Sequence, residues 1–226
     1  MRSHFLLVTV ILLLSVNLST AQNYSDYNQK LIEEHIYGGM PGYDNILFRH
    51  AYILSYNHEH RIPNWVAYNV EPGYTNTVPR YGIFNMFRVD KNIPKPVKDQ
   101  EYVGLYNGGK GYARGHLAPF NISGGDRDGD GLYGVADTNG DGVVNADDMK
   151  GLELWEFVSD ANEIQRVYEI NHLSNVAPQD HDGFNGGGGI WRDLEGHIQN
   201  TVVEEQEKEV WVIAGTGVGK EPWEKV

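Results

Sequence analysis

The sequence predicts an α+β fold, and three observations support that prediction. Runs of aromatic and β-branched residues indicate strands, a later segment has the apolar spacing of a helix, and the two kinds of segment alternate without regular strand–helix–strand spacing. With 226 residues, 40% of them hydrophobic, the chain can bury one substantial core. We therefore expect one domain with a central antiparallel sheet.

Four strands are predicted in chain order. The runs AYILSYN (51–57) and NWVAYNV (64–70), joined by the polar HEHRIP, indicate a strand pair. The runs QRVYEINHL (165–173) and EVWVIAG (209–215) indicate two further strands. Between these last two runs, apolar residues recur every four positions, which predicts an amphipathic helix. These residues are Ile190, Leu194, Ile198 and Val202.

Residues 1–21 have the pattern of a cleavable secretory signal. Basic residues precede the apolar run FLLVTVILLLSV, and Ser19 and Ala21 supply the small residues of a cleavage site. The run is short for a membrane span, so a membrane anchor is the weaker interpretation. We expect a mature chain that begins near Gln22, has no membrane contact, and is secreted or periplasmic. Because it has no cysteine, its stability must come from its core or from bound ions.

Residues 124–148 are rich in Asp, Asn and Gly, and their spacing predicts calcium loops. Ca²⁺ takes six to eight oxygen ligands, which alternate positions of such a loop supply, and a glycine allows the sharp turn. One loop would use Asp137, Asn139, Asp141, Val143, Asn145 and Asp148. An overlapping loop would use Asp126, Asp128, Asp130 and, at its end, Asp137. A solvated acidic loop is the alternative.

This segment resembles the calcium loops of dockerins and thrombospondin type 3 repeats, which opens the alternative of a calcium-dependent adhesion or docking module. A dockerin carries two separate loop–helix repeats, whereas these loops overlap and one helix-like stretch follows them. We therefore interpret residues 124–160 as a calcium-binding insertion into a host domain.

The host domain is indicated by the residues on either side of the insertion. YARGHLAPF (112–120) and NHLSNVAPQDHDGFNGGGGIWRDLE (171–195) resemble the DNA/RNA non-specific endonuclease family of the ββα-metal, or His-Me finger, superfamily. The resemblance implies a lead-in at 22–43 and an endonuclease domain at 44–226. It also implies a metal-dependent hydrolase that cuts DNA and RNA to 5′-phosphate products, with a ββα unit built from the segment around 112–120, a strand near 167–173 and a helix from about 190.

The resemblance assigns roles to five side chains. His116 matches the general base, and a neutral imidazole with the ordinary pKa of about 6.5 accepts a proton near physiological pH. Asn185 matches the ligand of the catalytic Mg²⁺ or Mn²⁺, and Glu195 matches the carboxylate that holds the metal's water molecules. Arg114 would face the phosphate. Asn175 matches a supporting polar residue of the site.

Three departures from the family pattern keep a catalytically weak homologue open as an alternative. Ala113 stands where the family commonly has Asp, and Gln199 where many members have Arg. Asn185 lies six residues before Trp191, not four, with Gly186–Gly189 between them. The chain also ends soon after the last predicted strand, where family members continue with further strands, so a C-terminally incomplete domain is expected as well.

The net charge of −13 limits how this chain can bind nucleic acid. Residues 126–148 carry seven Asp and one Arg, so nearly half of the negative charge belongs to the insertion. Nucleic-acid binding depends on Lys and Arg contacts to phosphate. We therefore expect weak, salt-sensitive binding of DNA and RNA, with the cationic residues confined to the cleft.

Overall fold

Eleven regular elements are formed by the residues that this computed structural model describes, 24–75, 78–107, 110–132 and 134–217. The helices are α1 (Asp26–His35), α2 (Leu154–Phe157), α3 (Ala161–Ile170) and α4 (Ile190–Gly196). The strands are β1 (Ile46–Phe48), β2 (Ile53–Asn57), β3 (Ile62–Val70), β4 (Tyr106–Asn107), β5 (Lys110–His116), β6 (Val176–Asp180) and β7 (Val210–Gly215).

A four-stranded sheet in the order β1-β2-β3-β7 carries most of the core, and all its pairs are antiparallel. The last strand of the chain pairs with β3, so that Val66 lies opposite Ala214. Tyr52, Leu54 and Tyr68 are buried beneath this sheet. The predicted strand pair and the predicted last strand are confirmed.

A second antiparallel sheet, β4-β5-β6, presents the family motif. β5 pairs with β6, placing Arg114 opposite Pro178 and His116 opposite Val176. The prediction of a strand at 165–173 is wrong, because most of these residues belong to helix α3. Ile164, Val167 and Ile170 lie three positions apart and are all buried, which is the periodicity of one helix face. The strand that pairs with β5 begins only at Val176.

Helix α4 is continued by wider, π-type turns over His197–Glu205, so the predicted helix is confirmed, but its predicted buried face is only partly right. Ile198 packs against the core, whereas Ile190 and Leu194 are exposed. Val203 is fully buried. A π-type turn bonds residue i to residue i+5, which moves the buried face to positions that a four-residue spacing does not predict.

Residues 135 and 158, which flank the second acidic loop, lie side by side, and this part of the chain contacts the core. Val135 pairs with Val158, and the Ala136 amide donates to the Phe157 carbonyl at 2.8 Å. Phe157 packs edge-on against Phe84, with ring centroids 5.9 Å apart.

In the described ranges no helix is long and apolar enough to cross a membrane. The predicted signal at 1–21 lies outside the described residues.

Candidate active site

His116 is the last residue of β5, and its imidazole is packed inside the protein. It is 9% exposed and stacks on Phe87, with ring centroids 4.9 Å apart. Burial, together with the positive charge of Arg80 and Arg114, lowers the pKa of His116 to about 3. The imidazole is therefore neutral at physiological pH.

Asn171, a fully buried residue, determines which imidazole nitrogen of His116 carries the proton. The Asn171 Nδ2 donates to the carbonyl oxygens of Phe84 (2.8 Å) and Val167 (3.3 Å). Its Oδ1 therefore faces the His116 Nε2, 3.2 Å away. Because an amide oxygen only accepts, Nε2 donates, and Nδ1 keeps the lone pair that can take a proton. The sequence analysis missed Asn171, although it begins the NHLSN run.

Asn175 holds the chain just beyond His116. Its Nδ2 donates to the carbonyl oxygens of Ala118 and Ile170, each at 2.9 Å, and its Oδ1 accepts from the Ala118 amide at 2.9 Å. The side chain is fully buried and its contacts are with the backbone. Asn175 thus joins the end of β5 to the end of α3, which is a positioning role and involves no contact with substrate.

Two arginines, Arg80 and Arg114, lie close enough to the histidine to act on its charge, and a third, Arg192, lies near Arg80. Arg114 lies over the Phe87 ring, 4.4 Å from its centroid, and forms an ion pair with Asp99. Arg80 lies 5.3 Å from the centroid of Phe120. Burial lowers the pKa of Arg80, and the nearby charges of Arg114 and Arg192 lower it further. Like charges brought this close form a site for an anion. Arg80 and Arg192 were missed, although Arg192 stands in the WRDLE run.

Glu195 lies in a cleft of about 900 Å³ that Arg80 and Arg192 also line. Burial raises the pKa of Glu195 to about 7. A cation bound near Glu195 would stabilise the ionised form of this poorly solvated carboxylate and would lower its pKa again. Gln199 lines the same cleft one turn further along and accepts a hydrogen bond from Asn121.

Asn185 ends a π-type turn, His181–Asn185, and so precedes α4 by several residues. Its Nδ2 donates to the Gln179 Oε1 at 2.6 Å, and the Gln179 Nε2 lies 3.4 Å from the His116 carbonyl oxygen. Among the hydrogen bonds of the described residues, none joins Asn185 directly to His116 or Glu195. Asn185 is connected to the histidine through Gln179, and its Oδ1 remains as a ligand atom.

Gly115 provides the space for this connection. A Cβ atom at position 115 would lie 2.0 Å from the Gln179 side chain, so the glycine of the Arg-Gly-His triplet lets Gln179 cross the strand. Ala113 lies opposite Gln179 in the β5–β6 register and brings no carboxylate to this place.

Asn185 and Glu195 each offer an oxygen atom that suits a hard divalent cation. The amide oxygen of Asn185 and the poorly solvated carboxylate of Glu195 are ligands of the kind that Mg²⁺ and Mn²⁺ prefer, with water completing the shell. Either residue could contribute to holding such an ion.

The two acidic loops have the same local structure eleven residues apart. The Asp126 Oδ1 accepts from the amides of Gly129 (2.8 Å) and Asp130 (3.0 Å), and its Oδ2 accepts from Gly131 (2.8 Å). In the second loop Asp137 accepts from Gly140, Asp141 and Gly142 in the same way. Asp126, Asp128 and Asp130 offer carboxylate oxygens that lie within 4.8 Å of one another.

The last predicted ligand of the second loop, Asp148, is buried, whereas most of the loop is exposed. Its Oδ1 accepts from the Thr138 amide at 2.9 Å and its Oδ2 from the Asn145 amide at 2.8 Å. These backbone donors lower the pKa of Asp148. Asp137, predicted as a ligand shared by both loops, has its carboxylate turned to the backbone of the second loop.

The fold is similar to that of a chain in the crystal structure of the EndoG/EndoGI complex. The similarity has a TM-score of 0.51 at 24% identity and covers 78% of this chain and 55% of that chain. The present chain thus spans about half the length of this neighbour. None of the curated proteins compared with the chain matches it significantly.

Residues 33–130 and 159–222 match the DNA/RNA non-specific endonuclease family. Because this match covers most of the sequence, the chain belongs to that family. The residues between the two matched segments, 131–158, lie within the segment predicted as an insertion.

Proposed function

We propose that this chain is a metal-dependent endonuclease that hydrolyses phosphodiester bonds of DNA and RNA to 5′-phosphate products. The observation that carries the proposal is the His116 imidazole, fixed by Asn171, with Arg80 and Arg114 close by and Arg192 near Arg80. Such a site combines a proton acceptor with groups that hold a phosphate. Family membership supports the same conclusion.

The chain's own residues divide the work as follows. His116 accepts a proton from the attacking water at Nδ1, while Asn171 keeps the opposite nitrogen protonated. The arginines hold the phosphate oxygens, and Arg114 exchanges Asp99 for the phosphate when substrate binds. Asn185, and Glu195 through water, would hold Mg²⁺ or Mn²⁺, which would neutralise charge at the phosphate and at the leaving 3′ oxygen.

The experiment is digestion of plasmid DNA and of single-stranded RNA with Mg²⁺ or Mn²⁺, beside the same reaction in chelator. We expect cleavage of both substrates, and products whose 5′ ends can be ligated without prior phosphorylation. Protein that is folded but leaves both substrates intact would support the second candidate, a catalytically weak homologue. That candidate is favoured by Ala113 and by the placement of Asn185 in a turn before α4.

We also propose that residues 124–160 bind Ca²⁺ as a structural ion. The repeated carboxylate geometry of the loops beginning at Asp126 and Asp137 supports this proposal. Titration calorimetry of the parent protein should show Ca²⁺ uptake, and absence of uptake would favour a solvated acidic loop. The signal-like residues 1–21 support a proposal of secretion or export to a periplasm, which fractionation of the expressing cells tests.

A further inference from the structure

A groove lined by aromatic rings opens beside His116. Its volume is about 530 Å³. We call it the tyrosine groove, and its lining includes Phe87, Asp99, Tyr102, Tyr106, Tyr112 and Arg114. A cavity of this size is within the range that holds a small organic ligand.

Phe87 joins the tyrosine groove to the site of the proposed chemistry, because its ring contacts both His116 and Arg114. Tyr112, Arg114 and His116 occupy alternate positions of β5, so they share one face of the strand. At about 3.4 Å per residue, Tyr112 lies about 14 Å along the strand from His116. One nucleic-acid strand can therefore contact the histidine and the groove together.

Two rings of the groove are open to solvent and so are available to a ligand. Tyr106 is 44% exposed and Tyr112 is 39% exposed. The Tyr106 ring lies 4.8 Å from the His181 ring, and the Tyr106 hydroxyl is 3.3 Å from the His181 Nε2, so His181 fixes the orientation of Tyr106. The more buried Tyr102 has its pKa raised to about 12 by burial and stays uncharged.

The groove combines aromatic rings with two arginines and one aspartate. Arg114 is paired with Asp99, and Arg80 also lines the groove, so its rings suit a base and its cations suit the adjoining phosphate. Flat nucleobases stack on aromatic side chains, with little dependence on base identity. In a duplex each base face is covered by its neighbours, so an unpaired base fits such a groove best.

We propose that the tyrosine groove binds an unpaired nucleobase next to the phosphate held at His116, which makes single-stranded nucleic acid the preferred ligand. This inference rests on the proposed function for its ligand class, and it adds the means by which the strand is recognised. Tyr106 and Tyr112 are the stacking residues, and Phe87 positions His116 and Arg114 beside them.

The test measures binding without cleavage, by fluorescence anisotropy in chelator. The probes are a short labelled single-stranded oligothymidylate, the same backbone with abasic sites in place of the bases, and a duplex of equal length. The parent should bind the base-bearing strand about fivefold or more tightly than either of the other two probes. Equal binding of the base-bearing and abasic strands would overturn the proposal.

The variant Tyr106→Ala, Tyr112→Ala should bind the base-bearing strand about five- to a hundredfold more weakly, and the abasic strand as the parent does. Tyr112→Phe, which keeps the ring, should bind like the parent, and Tyr112→Leu, which keeps apolar bulk alone, should not. Tyr43→Ala, at a 60% exposed tyrosine outside the groove, is the matched control. Unchanged binding by Tyr112→Leu, or equal losses on both strands, would refute base stacking. Base-dependent binding by a protein that cuts nothing would refute the proposed function and leave this inference standing.

Discussion

The histidine site and the acidic loops use the same kinds of polar side chain in opposite ways. In the site, Asn171 and Asn175 are buried and bond to partners far along the chain: Asn171 and His116 are 55 positions apart, and Asn175 and Ala118 are 57 positions apart. In the loops, Asp126 and its equivalents accept from amides three to five residues later. The site therefore exists only when the whole domain is folded, whereas each loop is defined by its own sequence.

This difference also separates the electrostatics of the two regions. Burial and neighbouring charges shift the pKa of His116 strongly. In the loops Asp128 and Asp130 are exposed and Asp126 is half-buried, so water and salt screen much of the repulsion between their carboxylates until an ion binds. Changes in the site should therefore have large effects on chemistry, and changes in the loops should act through stability and ion binding.

The largest effect is expected from His116→Ala. Loss of the general base should lower the turnover of DNA and RNA by about 10²- to 10⁴-fold, measured with Mg²⁺ at a temperature where both proteins are folded. The matched control is His60→Ala, which removes an exposed histidine from the β2–β3 turn. If His116→Ala cuts as fast as the control, the base is another group.

The second prediction concerns stability and pH. The folded pKa of His116, about 3, is below its unfolded value of 6.5, so between these values the unfolded chain binds more protons. The stabilisation is complete above pH 6.5 and is lost as the pH falls toward 3. The stability advantage of the parent over His116→Ala should therefore shrink by as much as about 3 kcal/mol between pH 7 and pH 4.

Chemical denaturation at several pH values checks this prediction. The difference between the parent and His60→Ala should stay constant over the same range, because that histidine is exposed in both states. A pH-independent difference for His116→Ala would mean that the imidazole is as well solvated in the folded protein as in the unfolded one.

The third prediction tests the loops. Ca²⁺ that binds only the folded state at a hundred times its Kd stabilises it by about 2.7 kcal/mol, which is a rise of several degrees in Tm. Asp137→Ala, Asp141→Ala should abolish this rise and leave Mg²⁺-dependent cutting intact. The control Asp147→Asn, which changes an exposed acid paired with Lys150, should keep the Ca²⁺-induced rise in Tm. A Ca²⁺ shift that survives in the double variant would place the ion elsewhere.

The sequence could predict what depends on local patterns. The β2–β3 pair and β7 follow from runs of aromatic and β-branched residues, and the hydrogen-bond geometry of the acidic loops follows the spacing of Asp126 and Asp137. The family motif predicted His116, and the structure places this residue at the end of β5.

What the sequence could not predict depends on distant contacts. Val167 and Ile170 were taken as strand residues because a short apolar run looks the same in a buried helix. Asn171 is held by a hydrogen bond to the Phe84 carbonyl oxygen, and Arg80 lies over the Phe120 ring, and both partners are far from them in the sequence. The low pKa of His116 has the same origin, since burial is a property of the fold and not of the local sequence.

The smallest effect is expected from Asp99→Asn. Asp99 is exposed like the acids of the loops, but it lies beside the histidine site. Asp99 pairs with Arg114 at a place where both side chains are partly exposed, 51% and 39% respectively, so the ion pair itself adds little stability. A substrate phosphate must nevertheless displace this carboxylate and approach its negative charge.

Removing the charge of Asp99 should tighten the binding of single-stranded DNA in chelator a few-fold and leave Tm unchanged. The gain should disappear at high salt, because screening weakens exposed charges most. Weaker binding by Asp99→Asn would instead mean that the carboxylate orients Arg114 toward the substrate.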